Sequence, residues 1–160
     1  MVRLLLLLFC SFIPLSVFAA ATSEIDKFLA SRHLVTQVFF IKQTAELSDL
    51  SRQQLNGAAS QLVDYAEQQM LIRVEGFASP DGEDQYNMQL SLQRALAVAD
   101  YLLHTHNLRI PVFLTGFGER EPAADTLSQM RRVDIAVYKK NPAAEVLFDD
   151  KGKIERFILR

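Results

Sequence analysis

The side chains here that could act together on another molecule are suited to holding an anion. Arg94 stands next to Ala95 and one helical turn from Leu90 and Val98, so a fixed charge sits beside an apolar stripe. A second basic element, Arg131-Arg132, directly precedes an alternating apolar run. Guanidinium forks match carboxylates in bidentate geometry. If the fold brings Arg131 or Arg132 near Arg94, the product is a carboxylate-binding cleft. The bland alternative for Arg94 is a side chain that snorkels to solvent or pairs with a nearby acid.

Catalysis has little to draw on. His33, His104 and His106 are the only histidines. The last two are two residues apart at a helix end, so they do not share a helical face, and metal sites want ligands three or four apart with others converging. No metal and no cofactor is expected. There is no Gly-x-Ser-x-Gly elbow and no phosphate loop, and Gly116-Phe117-Gly118 reads as a turn. Pairs such as Asp81 with Asp84, or Asp149 with Asp150, are ordinary loop carboxylates unless a pocket perturbs them. The sequence is read as non-enzymatic.

The elements that must position Arg94 follow from periodicity. Leu34 to Lys42 is rich in β-branched and aromatic residues and predicts a strand. Ser48 is an N-cap candidate, with Asp49 in the first turn of a helix reaching about Gln69. Leu55, Ala58, Leu62 and Ala66 form its apolar stripe, and Gly57 within it suggests a close approach to the sheet. Met70 to Ala78 is a second strand, with Leu71, Arg73, Glu75 and Phe77 on one face and Ile72, Val74 and Gly76 on the other. A loop with Pro80, Asp81 and Gly82 leads into a helix from about Asp84 to Thr105. Its stripe is Leu90, Ala95, Val98 and Leu102, widened by Leu92, Leu96, Ala99 and Leu103. Arg109 to Glu119 and Val133 to Lys139 are strands three and four, with a short helix expected after Glu121-Pro122. The fold class is α/β, an α+β sandwich with a mixed sheet and helices packed on one face. Strand-end, loop and helix-start junctions such as residues 76–95 are where such folds place ligands.

The ends differ in kind. Arg3 followed by a continuous apolar run and then Ala19-Ala20-Ala21 predicts a signal peptide over residues 1–21, cut after Ala19 or Ala21. The run is short of the roughly 20 apolar residues of a membrane span. Residues 22–33 are a lead-in segment, 34–140 the domain, and 141–160 an extension that folds as a β-hairpin about Asp150-Lys151-Gly152. Its apolar residues, within 143–160, are expected to dock on an envelope partner or a second copy. Without residues 1–21 the chain carries 16 basic and 19 acidic residues, a net charge of −3, and no basic run. Nucleic acid is therefore a poor partner. Cys10 lies within the leader, so the exported chain has no disulfide and no thiolate.

The residues from about Leu34 to Tyr138 carry a recognisable order: Gly76 and Gly82, Tyr86-Asn87, Leu90-Ser91, Arg94-Ala95, Val98, Tyr101-Leu102, Gly116-Phe117-Gly118-Glu119, Pro122 and Arg131-Arg132-Val133-Asp134-Ile135. In this order the chain resembles the OmpA-like domain, the periplasmic peptidoglycan-associating module of Gram-negative envelopes. The resemblance implies a location in the periplasm, in contact with cell wall or outer membrane. It also implies a peptidoglycan partner, held by the diaminopimelate of the stem peptide. In the family a helix arginine takes the diaminopimelate carboxylate, and Arg94 matches it. A loop aspartate takes the amine, and that position is Ser79 here, preceded by Ala78 where the family has threonine. Met130 replaces the asparagine before the double arginine, and the segment between Pro122 and Arg131 is short. A serine accepts from an ammonium without charge, so the change costs on the order of 2–3 kcal/mol, about a hundredfold in affinity. Asp81 or Asp84 is placed to restore the charge from a shifted position. The expected ligand contacts are Ser79, Asp81, Asn87, Arg94 and Arg131. The alternative is an assembly component that keeps the fold and has lost or altered wall binding.

Overall fold

The computed structural model describes residues 24–119 and 126–140, together with the backbone of 155–158. A short helix α1 spans residues 24–30. It is followed by β1 (His33–Phe39), α2 (Asp49–Glu67), β2 (Leu71–Gly76), α3 (Asp84–His106), β3 (Pro111–Gly116), α4 (Leu127–Met130), β4 (Arg132–Tyr138) and β5 (Glu155–Ile158). The strands form one mixed sheet in the order β1-β4-β2-β3-β5. Only β2 and β3 are parallel, and their connection is α3. The other pairs are antiparallel.

The alternation read in β2 holds. Ile72 and Val74 join Val38, Val112, Leu114, Ile135 and Val137 in the main core under α2 and α3. On the helix side Leu55, Ala59 and Leu62 meet Ala95, Val98 and Leu102. The β2 and β4 strands are buried along their whole length, as central strands covered on both faces are. Ser48 caps α2, its hydroxyl accepting from the Ser51 amide at 3.1 Å. The short helix expected after Glu121-Pro122 is α4, begun by a reciprocal capping box between Thr126 and Gln129.

Three local expectations change. Gly57 has open space around it, so it marks no close approach to the sheet. Leu96 is about half exposed and does not widen the buried stripe of α3. The lead-in is not a bystander either. Phe28 of α1 is buried and stacks on Tyr138 at 4.8 Å, on the sheet face opposite α2 and α3. Of the expected C-terminal hairpin, the Asp150-Lys151-Gly152 turn and the arm before it lie outside the described residues. The arm after it is β5, which pairs with β3 from Pro111↔Ile158 to Leu114↔Glu155.

The second sheet face holds a charged network. Glu75 and Asp134 sit directly opposite each other on β2 and β4, a like-charge pair that is unfavourable alone. Arg32 bridges them, its Nη2 donating to Glu75 Oε2 and to Asp134 Oδ2, both at 2.8 Å. The Nε of Arg132 donates to Asp134 Oδ1 at 2.9 Å, and Arg73 lies 3.5 Å from Glu75. The Tyr138 hydroxyl donates to Glu75 at 2.6 Å. Burial, followed by the Glu75 charge, pushes the Tyr138 phenol up to about 12, so it stays protonated and keeps donating.

Candidate ligand-binding site

Three segments meet at one end of the sheet: the turn after β1, the loop after β2 and the first turns of α3. What brings α3 so close is a pair of glycines. Gly76 and Gly116 are cross-strand partners at the ends of β2 and β3. A Cβ on Gly76 would lie 1.9 Å from the Ser91 carbonyl oxygen, and one on Gly116 would lie 2.7 Å from the Ser91 hydroxyl. Ser91 is itself fully buried, donating to the Met88 carbonyl at 2.8 Å and accepting from the Gly118 amide at 3.0 Å. With no side chain on the two strand ends, the helix can press against them.

Above this contact lies a cavity of about 310 Å³. Lys42 and Gln43 reach it from the turn after β1, and Ser79, Asp81 and Gly82 from the loop after β2. Helix α3 and its cap contribute Glu83, Tyr86, Asn87, Leu90 and Arg94. Of the five expected contacts, Ser79, Asp81, Asn87 and Arg94 therefore share one wall. Asp84 does not line it, so of the two acids considered as substitutes it is Asp81 that enters the site.

Arg94 is fully buried. Its Nε donates to the Thr44 carbonyl at 2.8 Å, Nη1 to Phe77 at 2.9 Å and Nη2 to Ile41 at 3.1 Å. The guanidinium also lies over the Phe40 ring, 5.3 Å from its centroid. Neither bland alternative holds among the described residues: Arg94 is buried and pairs with no acid there. It ties the 41–44 turn to the end of β2. Of its five N–H groups, one each on Nη1 and Nη2 remains once the bonds among the described residues are counted. Burial, then the nearby Arg131 charge, draws its pKa down to about 10, so it remains a cation at neutral pH.

Arg131 thus lies within electrostatic reach of Arg94. Its Nη1 donates to the Leu127 carbonyl at 3.1 Å, and its buried Nε has no hydrogen-bond partner among the described residues. Arg132 is used elsewhere, in the Asp134 network and over the Phe77 ring at 4.5 Å. The Asn87 amide donates to Glu119 at 3.0 Å, which ties α3 to the loop after β3.

Asp81 has both oxygens occupied. The Ser79 hydroxyl donates to Oδ1, and the Lys42 ammonium pairs with Oδ2. The Lys42 hydrogen bond, then that of Ser79, holds the Asp81 carboxyl at about 2, below the usual 3.8. Lys42 and Gln43 were not foreseen. Lys42 precedes Asp81 by a full helix and strand, and nothing near it in the sequence marks it. Gln43 carries one local sign, visible only in the structure. Its φ of 60° is a left-handed conformation, which costs a residue with a Cβ about 1–2 kcal/mol. The Arg94 bonds to Ile41 and Thr44 hold the turn on both sides of it.

Among the described residues no group of three or more metal-ligating side chains occurs, and no helix is long and apolar enough to cross a membrane. Comparison with known proteins gives one family and one fold. The model of the OmpA family matches residues 39–135. The structure is similar to that of the peptidoglycan-associated lipoprotein from Burkholderia pseudomallei, with a TM-score of 0.53 and 22% identity over 63% of this chain and 88% of that one. It is also similar to the OmpA-like domain of FopA1 from Francisella tularensis, with a TM-score of 0.53 and 21% identity over 76% of this chain and 73% of that one. The periplasmic domain of Helicobacter pylori MotB matches at a TM-score of 0.53 and 15% identity, over 74% of this chain and 87% of that one. No curated protein sequence matches.

Proposed function

The chain belongs to the OmpA family, and from that premise we propose that it is a non-enzymatic periplasmic module that binds the stem peptide of peptidoglycan. The observation that carries the reading is the cavity at the start of α3, whose lining includes both a buried guanidinium, Arg94, and a carboxylate, Asp81. A ligand with a carboxylate beside an amine, as in diaminopimelate, meets both demands. The two spare N–H groups of Arg94 take the carboxylate, and the Arg131 charge, which acts on Arg94 without lining the cavity, adds to the attraction. Asp81, braced by Ser79, takes the amine in place of the aspartate that Ser79 replaces. The resemblance to a peptidoglycan-associated lipoprotein supports the same ligand class. Residues 1–21 act as the export leader in this reading.

Co-sedimentation with purified peptidoglycan tests it. Wild type is expected in the pellet. Asp81→Asn, which removes one charge-assisted bond from a half-open site, is expected to weaken binding about tenfold. Arg94→Ala should abolish binding, and its folding must be checked because Arg94 also holds the 41–44 turn. Wild type that stays in the supernatant as fully as Asp81→Asn would sink the proposal. It would favour the second reading, an assembly component that keeps the fold without the wall. That reading draws on the Lys42 pairing, which leaves Asp81 already neutralised.

A further inference from the structure

The two cations on the cavity wall are held very differently. Arg94 is buried and fixed by three carbonyls. The Lys42 side chain is 55% exposed, and among the described residues its one tie is the ion pair to Asp81. Its backbone is anchored, because Arg94 grips Ile41 and Thr44 on either side of it. An ammonium on a flexible four-carbon stem is therefore kept close to Asp81, with no other described side chain or carbonyl holding it. A free ligand amine seeking that carboxylate has the same charge and similar hydrogen-bonding capacity.

We propose that Lys42 is the specificity-determining residue of this cavity: a tethered ammonium that occupies the amine-binding carboxylate and competes with the amine of an incoming ligand. The proposal rests on the stem-peptide reading above and adds to it. Binding of an amine-bearing carboxylate requires Lys42 to leave Asp81 for solvent, which its exposure allows. A carboxylate whose amine is absent or blocked reaches Arg94 without that displacement. Because an exposed ion pair is weak, the competition is modest, and removing it is expected to tighten an amine-bearing ligand about fivefold.

The test is titration calorimetry on the protein purified after export from an expressing host. Wild type and Lys42→Met, which keeps the stem and drops the charge, are compared. The probes are a tripeptide ending in diaminopimelate and the same tripeptide with its free side-chain amine acetylated. The expected result is tighter binding of the free-amine probe by Lys42→Met, with the acetylated probe bound equally by both proteins. Tightening of the free-amine probe by Lys42→Met where wild type binds neither probe would retire wall binding by the native protein and uphold the Lys42 assignment. Equal affinity of both proteins for the free-amine probe would overturn the assignment while leaving the stem-peptide reading intact. Weaker binding of both probes by Lys42→Met would overturn it too, making Lys42 a contact for the ligand carboxylate. Failure of both proteins to bind either probe would overturn the two together.

Discussion

Arg94 holds two loops together with one guanidinium. Three of its N–H groups satisfy carbonyls from segments about fifty residues upstream and seventeen upstream of it, and the proposed ligand would use what remains. Arg94→Ala strands those three acceptors, at about 1–3 kcal/mol for each that is cut off from water. Denaturant unfolding should register a loss of about 3 kcal/mol or more. An unfolding midpoint equal to wild type would mean that the carbonyls find other partners. Asp81 gives a prediction in pH. Its folded pKa is about 2 against the usual 3.8, so the native state binds the proton less well than the unfolded chain. The stability from the Lys42–Ser79–Asp81 cluster is therefore present above about pH 4 and fades as pH falls toward 2. Thermal midpoints of wild type and Asp81→Asn should differ by a constant amount above pH 5 and converge near pH 2. A gap that persists at pH 2 would contradict the pairing. At this scale the sequence was half legible. Arg94, Ser79 and Asp81 stand within one short stretch, so local spacing exposes them. Lys42 enters by a long-range approach of two loops, and no local rule encodes that.

The elements themselves were written in the periodicity. The 3.6-residue stripe of α2 and the alternation of β2 both emerged with the predicted faces, because burial on one side is what selects those patterns. The glycines needed coordinates to be told apart. Gly57 sits in an exposed helix interior with room for a methyl group, so Gly57→Ala should stabilise the protein by about 1 kcal/mol. That corresponds to about 3 °C in Tm for a chain of this size. Gly76→Ala drives a methyl group into the backbone of α3 and should cost about 3 kcal/mol. Calorimetry of the two variants side by side checks both signs. A tolerated Gly76→Ala would show that α3 can lift off the strand ends, which the Ser91 hydrogen bonds argue against.

For the whole molecule, the sheet has two working faces where the sequence suggested one. The Arg32 bridge joins residues 43 and 102 positions away, and separations of that kind are invisible to a window of local pattern. The tail also takes a definite place: β5 closes the edge of β3 within the same chain. Deleting residues 143–160 uncovers the backbone donors and acceptors of that edge, and open edges pair with other chains. Size-exclusion chromatography should show concentration-dependent association of the truncated protein. A purely monomeric elution would mean that Pro111 and the short strand already protect the edge. The position of α1 matters for a different reason. It enters the sheet before the start of β1, whereas the cavity opens beyond the ends of β1 and β2. A pull between residue 24 and a ligand gripped in the cavity would run along the strands. The β1–β4 hydrogen bonds would bear it together, in shear, and would not peel one after another. Along that line the β1–β4 pairing would resist as a unit, which makes it the strong direction of the domain.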